Sequence, residues 1–160
     1  MIETMRGADG AGLAAPQVGR SIRLFVADLT TAWHALPQDQ RPPIPPQPMV
    51  CINPEIIART SDEVEFGEGC LSIPTLVEYV RRPVGVKMRY LDRDFQPQEI
   101  IGISYTASVL QHEYDHLNGV LHIDYLSRER KQQIQDKLRA IEMGLVQPDY
   151  PMRFAGSPGT

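Results

Sequence analysis

The chain has 160 residues, a length that suits one domain with a single hydrophobic core. Hydrophobic residues make up 42% of it and charged residues 22%, close to the globular average, which argues against a disordered or fibrous chain. The net charge of −4 gives no general attraction to phosphate backbones or anionic membranes, so a nucleic-acid substrate is not expected.

The N-terminal third is predicted to hold a short helix, a glycine-rich loop and a strand. Residues 2–8 are helix-permissive, and the glycines that follow end the helix in a loop. Residues 21–29 alternate apolar and polar positions and are rich in branched side chains, which is typical of a strand. Residues 36–48 contain six prolines, a density that neither a helix nor a ladder tolerates, so they are predicted to form an exposed loop.

The middle of the chain is predicted to form mainly antiparallel sheet. Residues 49–53 and 55–59 resemble two short strands broken at Pro54. Residues 84–90 alternate again, and the alternation places one set of side chains on a common face: Val84, Val86, Met88 and Tyr90.

Two helices are predicted in the last third. Residues 106–118 change to helical period, and Gly119 stands where a left-handed cap is expected. A second helix is predicted to begin at the N-cap Ser127 and to carry an apolar stripe of Ile134, Leu138, Ile141 and Leu145. We therefore expect a single domain over residues 1–147 and a disordered tail over residues 148–160.

Neither targeting signals nor cysteine usage points away from the cytoplasm. The first twenty residues lack a basic start followed by an apolar run, and no stretch approaches the length that spans a bilayer. The two cysteines, Cys51 and Cys70, are not expected to pair in a chain with an ordinary core. We expect a cytoplasmic protein without membrane contact.

The sharpest local signal is HEYDH at residues 112–116. Histidines four apart lie on one helix face, where both rings can meet one metal ion. Glu113 would project beside that metal, where a carboxylate can accept a proton from water and return it to a leaving nitrogen. The pattern is short and arises by chance. Taken alone, it fits two exposed histidines with an ion-pairing glutamate as well as it fits a metal site.

A catalytic metal of this kind usually has three protein ligands. Cys70 is the candidate third ligand, because it stands in GEGCLS between glycines and a polar turn. Its alternative is a small buried core residue, an interpretation that fits Cys51 in the apolar segment MVCIN better.

The segment GAGLAAPQVG at residues 10–19 lacks the lysine of a phosphate loop. Its glycines let the backbone approach a ligand, and the amide of Gln17 can stabilise a developing oxyanion. Such a segment more often forms a structural turn than a ligand-binding loop.

Taken together, the three segments resemble the signature blocks of the peptide deformylases. GAGLAAPQ, EGCLS and QHEYDHLNG occur in that order on one chain, and VCINPEI and IPTLVEYVRRP are similar to the family's sheet segments. The resemblance implies an α+β fold, with a twisted, mainly antiparallel sheet around a central metal-binding helix and a C-terminal helix. It implies hydrolysis of the N-formyl group from the N-terminal formyl-methionine of newly synthesised polypeptides, by a bacterial-type enzyme of the cytoplasm.

The resemblance also implies roles for residues at matching positions. The metal ligands are expected to be Cys70, His112 and His116, and Glu113 the acid and base. The side chain of Gln17 and the backbone N–H of Leu71 are expected to hold the formyl oxygen. The substrate-binding residues are expected to be Gly12, which aligns the peptide, together with Gly69, Tyr105, Ser108 and Val109. One divalent metal per chain is implied, Fe(II) first, with nickel, cobalt or zinc as replacements.

Three features depart from the family pattern. The chain begins inside the first helix, so an N-terminal segment with an edge strand is expected to be missing from the sheet. The Pro-rich loop is longer than in a minimal member. Ser108 is small where relatives often have a bulkier residue, which changes the expected shape of the methionine pocket.

A rival enzyme class shares most of the site. HEYDHLNGVLH also matches the metzincin protease pattern, with His122 as a third histidine ligand. The missing secretion signal and the small room for a methionine turn after His122 argue against it. In the deformylase interpretation His122 lies in a strand-like stretch and serves packing.

A third hypothesis is a partner-binding domain without catalysis. It rests on the basic residues of the last helix, although such charge runs are usually a solvated face. The family resemblance gives this helix a role as well, because bacterial relatives use it to approach the ribosome. The residues concerned are Arg128, Arg130, Lys131, Lys137 and Arg139.

Overall fold

The structure is a computed structural model and describes residues 1–156. Within that range the helices are α1 (Ile2–Gly7), α2 (Thr30–His34), α3 (Tyr105–His116) and α4 (Arg128–Glu142). The strands are β1 (Gly12–Ala14), β2 (Leu24–Ala27), β3 (Met49–Arg59), β4 (Glu63–Cys70), β5 (Ile73–Pro83), β6 (Gly85–Leu91) and β7 (Pro97–Ile103).

The strands form two antiparallel sheets that meet at α3. A five-stranded sheet has the order β1-β2-β3-β6-β7, and β4 pairs with β5 in a separate hairpin. Helix α3 packs against β1 and β7, and Leu110 lies in one core cluster with Phe25 and Met88. The expected α+β fold with a mainly antiparallel sheet around a central helix is confirmed.

Pro54 does not break the sheet, so the prediction of two strands there is wrong. Strand β3 runs from Met49 to Arg59 as one element, and its register with β6 shifts between Ile52 and Glu55. An irregular ladder tolerates a residue without an N–H, which is why the proline fits at this point. The predicted buried face of β6 is confirmed for Val86, Met88 and Tyr90.

The two caps predicted for the helices of the last third are confirmed. Gly119 has a φ of 74°, and the Ser127 hydroxyl accepts a hydrogen bond from the Arg130 N–H at 3.1 Å. Helix α4 buries Ile134 and Ile141, but it ends at Glu142 and leaves Leu145 exposed, so Leu145 does not extend the apolar stripe. Among residues 1–156, no helix is both long and apolar enough to cross a membrane.

The predicted Pro-rich loop is only partly exposed: residues 37–40, Pro43 and Pro46 are exposed, whereas most of the others are half-buried. Trp33 donates a hydrogen bond through Nε1 to the Pro42 carbonyl at 2.7 Å, and the Arg41 guanidinium lies 4.9 Å from its ring centroid. Ile44 packs against the main core. The aromatic ring of α2 gives the loop a surface to dock on, which proline content alone does not indicate.

The part of the expected disordered tail that the structure describes packs against α4. Phe154 joins an apolar cluster with Ile134 and Ile141, and the Gly156 N–H donates to the Glu142 carbonyl at 2.8 Å. Residues 157–160 lie outside the described range. The aromatic side chain of Phe154 supplies apolar area that packs this segment on α4, a contact that C-terminal position alone does not indicate.

Candidate active site

The three sequence motifs converge on one cavity of about 300 Å³. The glycine-rich segment, the end of β4 and one face of α3 form its walls. Its lining includes Gly12, Gln17, Glu68, Gly69, Cys70, Leu71, Tyr105, Ser108, Val109, His112 and Glu113. Every residue expected at the site therefore borders the cavity, apart from His116. The His116 ring instead lies close to Cys70 and His112, which do border it.

A buried cluster of potential metal ligands lies at the cavity. One donor atom each from Cys70, His112 and His116 lies within 4.8 Å of the others. Cys70 ends β4, and the two histidines lie one turn apart on α3, so the helix period brings both rings to the same sulfur. The Cys70 Sγ is 3.3 Å from the His116 Nε2. One thiolate with two imidazoles is a donor set that suits a divalent transition metal.

The electrostatics of the cluster favour a deprotonated sulfur. Burial opposes ionisation of Cys70, but hydrogen bonding with His112 and His116 outweighs it and lowers the pKa of the thiol to about 3. Burial likewise acts to lower the pKa of His112, but Cys70 and Glu68 raise it to about 10. A metal ligand must be a thiolate, so the site supplies the sulfur in the form that binds a cation.

Glu68 orients the first histidine and was not predicted as a site residue. One of its carboxylate oxygens lies 2.9 Å from the Nδ1 of His112 and accepts the proton of that nitrogen, which leaves Nε2 as the nitrogen where a cation would replace a proton. The hydroxyl of Ser108 donates to the other oxygen at 2.8 Å. Ser108 thus borders the cavity, as expected of a substrate-pocket residue, but its hydroxyl supports Glu68.

A buried arginine completes this support. Arg82 binds both oxygens of Glu68 and donates to Asp115 Oδ2 at 2.7 Å, while only 2% of the residue is exposed. Burial acts to raise the pKa of Glu68, but hydrogen bonds from His112 and Arg82 outweigh it and hold the pKa at about 2. The carboxylate is therefore charged, paired on both sides and fixed in position.

Replacing Arg82 by Met is expected to lower the free energy of unfolding by about 3–5 kcal/mol, because it leaves Glu68 as an uncompensated buried charge. Urea unfolding followed by circular dichroism measures the change. Arg89→Met is the matched control, since its pair with Glu55 is exposed and is expected to contribute at most about 1 kcal/mol. Equal losses in the two variants would contradict the structural role of Arg82.

Glu113 is buried beside the cluster and has an unpaired oxygen. Its Oε2 has no hydrogen-bond partner among the described residues, and burial raises the pKa of the carboxyl to about 7. A Cβ at Gly12 would overlap the Glu113 side chain, so only glycine leaves room for it here. A carboxyl group with a pKa near neutrality is suited to accept and return a proton.

Gln17 presents its amide nitrogen to the cluster. Its Oε1 accepts a hydrogen bond from the Ala14 N–H at 2.7 Å, which fixes which end of the amide faces the site. Its Nε2 lies 3.1 Å from the Ser72 Oγ and 3.5 Å from the Cys70 Sγ. The side chain is thus a positioned donor at the cavity wall.

His122 lies behind the cluster, in a 3-10 turn over His122–Tyr125, so the expectation of a strand-like stretch is wrong. The residue is 1% exposed, and its ring centroid lies 5.6 Å from that of His112. Neither ring nitrogen of His122 has a hydrogen-bond partner among the described residues. His122 does not belong to the ligand cluster, which disfavours the metzincin interpretation.

Comparisons by sequence and by structure both match the chain to the same protein family. The family model described as Polypeptide deformylase matches residues 1–132. A peptide deformylase of Salinibacter ruber is 53% identical over 152 residues, which cover 95% of this chain and 77% of the relative. One of Flavobacterium johnsoniae is 42% identical, covering 98% of this chain and 81% of the relative.

Solved structures of the same family superpose on the chain. A peptide deformylase from Legionella pneumophila has a TM-score of 0.76 and 39% identity, covering 92% of this chain and 80% of that one. One from Synechococcus elongatus, solved in complex with actinonin, has a TM-score of 0.74 and 38% identity, covering 92% of this chain and 73% of that one. The sequence and the fold agree, and the chain belongs to the peptide deformylase family.

Proposed function

We propose that this chain removes the formyl group from the N-terminal formyl-methionine of newly synthesised polypeptides, as a metal-dependent amide hydrolase. The observation that carries the proposal is the buried cluster of Cys70, His112 and His116 beside Glu113, whose Oε2 has no hydrogen-bond partner among residues 1–156. Amide hydrolysis needs a polarised carbonyl, an activated water and a proton for the leaving nitrogen. The three candidate ligands can hold the cation that polarises the carbonyl and activates the water, and Glu113 can supply the proton.

The three ligands would hold one divalent cation, with Fe(II) as the proposed metal and nickel, cobalt or zinc as replacements. When bound, such a cation polarises a carbonyl oxygen and lowers the pKa of water. Glu68 accepts the Nδ1 proton of His112, so Nε2 is the ring nitrogen that would bind the cation. Arg82 and Ser108 keep Glu68 in place.

Glu113 moves the proton in the proposed reaction. It accepts a proton from the attacking water and delivers it to the nitrogen of the departing methionine. Because burial raises its pKa to about 7, both the protonated and the ionised forms of the carboxyl are populated near neutral pH. Gly12 leaves room for the side chain to work close to the substrate backbone.

The remaining cavity residues bind the substrate. The Nε2 of Gln17 and the backbone N–H of Leu71 would stabilise the charge that develops on the formyl oxygen. Gly12 and Gly69 would let the peptide backbone approach closely. Tyr105 and Val109 would contact the methionine side chain, together with the small residue Ser108.

Formyl-methionine peptides are expected to be cleaved at least about 100-fold faster than acetyl-methionine peptides, because one extra methyl must clash in a closed formyl cavity. Anaerobically purified, metal-analysed protein is assayed with two matched peptides that differ only in the acyl group. The peptide without an acyl group serves as the product standard. Comparable rates on both acyl peptides would refute deformylase activity.

A cytoplasmic location and an approach of α4 to the ribosome stay predictions. Two of the basic residues named for that surface are engaged within the chain. Arg130 makes a two-pronged ion pair with the buried Glu78 at 2.7 and 2.8 Å, and the Lys131 ammonium donates to the Asp124 carbonyl at 2.9 Å. The Arg130 pair docks α4 on the hairpin, and the Lys131 contact joins it to the preceding 3-10 turn, so a partner surface would rest on the remaining basic residues of the helix.

A further inference from the structure

The segment after α4 returns to the wall of the active site. The hydroxyl of Tyr150 donates a hydrogen bond to the backbone carbonyl of Leu71 at 2.9 Å. Leu71 follows the ligand Cys70 directly and borders the cavity. The side chain of Leu71 packs on the N-terminal cluster that contains Met5 and Leu13.

Residues that precede and follow Tyr150 in the sequence pack against the core and hold it in place. Val146 precedes it and Phe154 follows it, and both pack in one apolar cluster with Cys70. The Phe154 ring lies against Gly144, where a Cβ would be 3.2 Å from it. The segment therefore shares a packing unit with a metal ligand, and the position of the Tyr150 hydroxyl is fixed by that packing.

The turn between β4 and β5 has a second restraint from the glycine-rich segment. Gln17 donates to the Ser72 hydroxyl at 3.1 Å, one residue beyond the carbonyl that Tyr150 binds. Residues 71 and 72 are thus tied to two different parts of the chain. The hydrogen bond from Tyr150 comes from a residue outside residues 1–132, the range that the family model matches.

We propose that Tyr150 is a positioning residue for the reaction. Its hydroxyl fixes the peptide groups of the β4–β5 turn, so that the backbone N–H of Leu71 stays aligned at the cavity. The catalytic part of this inference rests on the proposed function. A hydrogen bond of this kind restrains a donor that acts on a developing charge, and misplacing such a donor slows the chemical step.

The test compares Tyr150→Phe, which removes only the hydroxyl, with Tyr79→Phe as the matched control. Tyr79 is 71% exposed on the outer face of β5 and does not border the cavity. We expect Tyr150→Phe to lower kcat for formyl-methionine peptides by about three- to tenfold, as the loss of one hydrogen bond implies, with KM and metal content unchanged. Amide hydrogen exchange at Leu71 and Ser72, followed by NMR, is expected to be faster in this variant and unchanged in the control.

The two measurements separate positioning from general destabilisation. An unchanged exchange rate at Leu71 and Ser72 would overturn the proposal, and so would an unchanged kcat. A fall in kcat accompanied by metal loss or by faster exchange throughout the chain would also overturn it, because that pattern is loss of the fold. If the wild-type protein cleaves no formyl peptide, the proposed function fails, and the exchange rates alone then decide whether Tyr150 restrains the turn.

Discussion

Replacing Glu113 by Gln is expected to lower kcat for formyl-methionine peptides by about 100- to 10000-fold while the metal stays bound. The amide keeps the shape of the side chain in the space that Gly12 leaves open, but it cannot accept a proton. Steady-state kinetics and metal analysis of the same preparation measure both effects. The expected result is loss of turnover without loss of the cation.

The matched control is Glu129→Gln, which makes the same chemical change at an exposed position in the first turn of α4. It is expected to leave both kcat and metal content unchanged. A Glu113→Gln variant that retained more than about a tenth of the wild-type rate would exclude the acid and base role, since such groups supply at least 100-fold.

Local patterns predicted the parts of the fold that local forces determine. The helical period of α3, its glycine cap and the Ser127 cap depend on residues a few positions apart, and the structure has all three. Strands β4 and β7 gave no clear sequence signal. In β4, Gly67 and Gly69 interrupt the alternation, and the strand is stabilised by pairing with β5, which no local pattern contains.

The same distinction applies to the site. His112 and His116 are predictable because their spacing on a helix already defines a common face. Cys70 became a candidate ligand through its motif and was assigned through the family resemblance, since its place beside the helix arises from the tertiary fold. Glu68 and Arg82 were missed because a charged residue is normally exposed, and their burial is visible only once both partners are brought together.

Aromatic residues account for the packing of the loop and of the tail, which the sequence patterns did not predict. Proline density and C-terminal position both predicted exposed or disordered chain, yet Trp33 docks the loop, and Phe154 docks the tail. Each supplies a large apolar area at a single position, which composition over a segment does not reveal. The contact of Tyr150 with Leu71 depends on that docking.

Replacing Cys70 by Ala is expected to abolish metal retention and to lower activity by more than about 100-fold, beyond the effect typical of losing a supporting residue. The sulfur is one of the three proposed ligands and would be the only charged one, so water could not replace its bond. Metal content after gel filtration, measured by elemental analysis, decides the outcome.

His122→Phe is the matched comparison, because His122 is the third ligand in the metzincin interpretation and is fully buried next to the same cluster. Its ring nitrogens have no hydrogen-bond partner among residues 1–156, so an apolar ring of similar size is expected to leave metal content unchanged and to change activity by less than about tenfold. A metzincin would give the reverse pattern, with metal lost from the His122 variant and kept by the Cys70 variant. Metal loss in the His122 variant alone would therefore overturn the ligand set of Cys70, His112 and His116, and with it the deformylase assignment of the site.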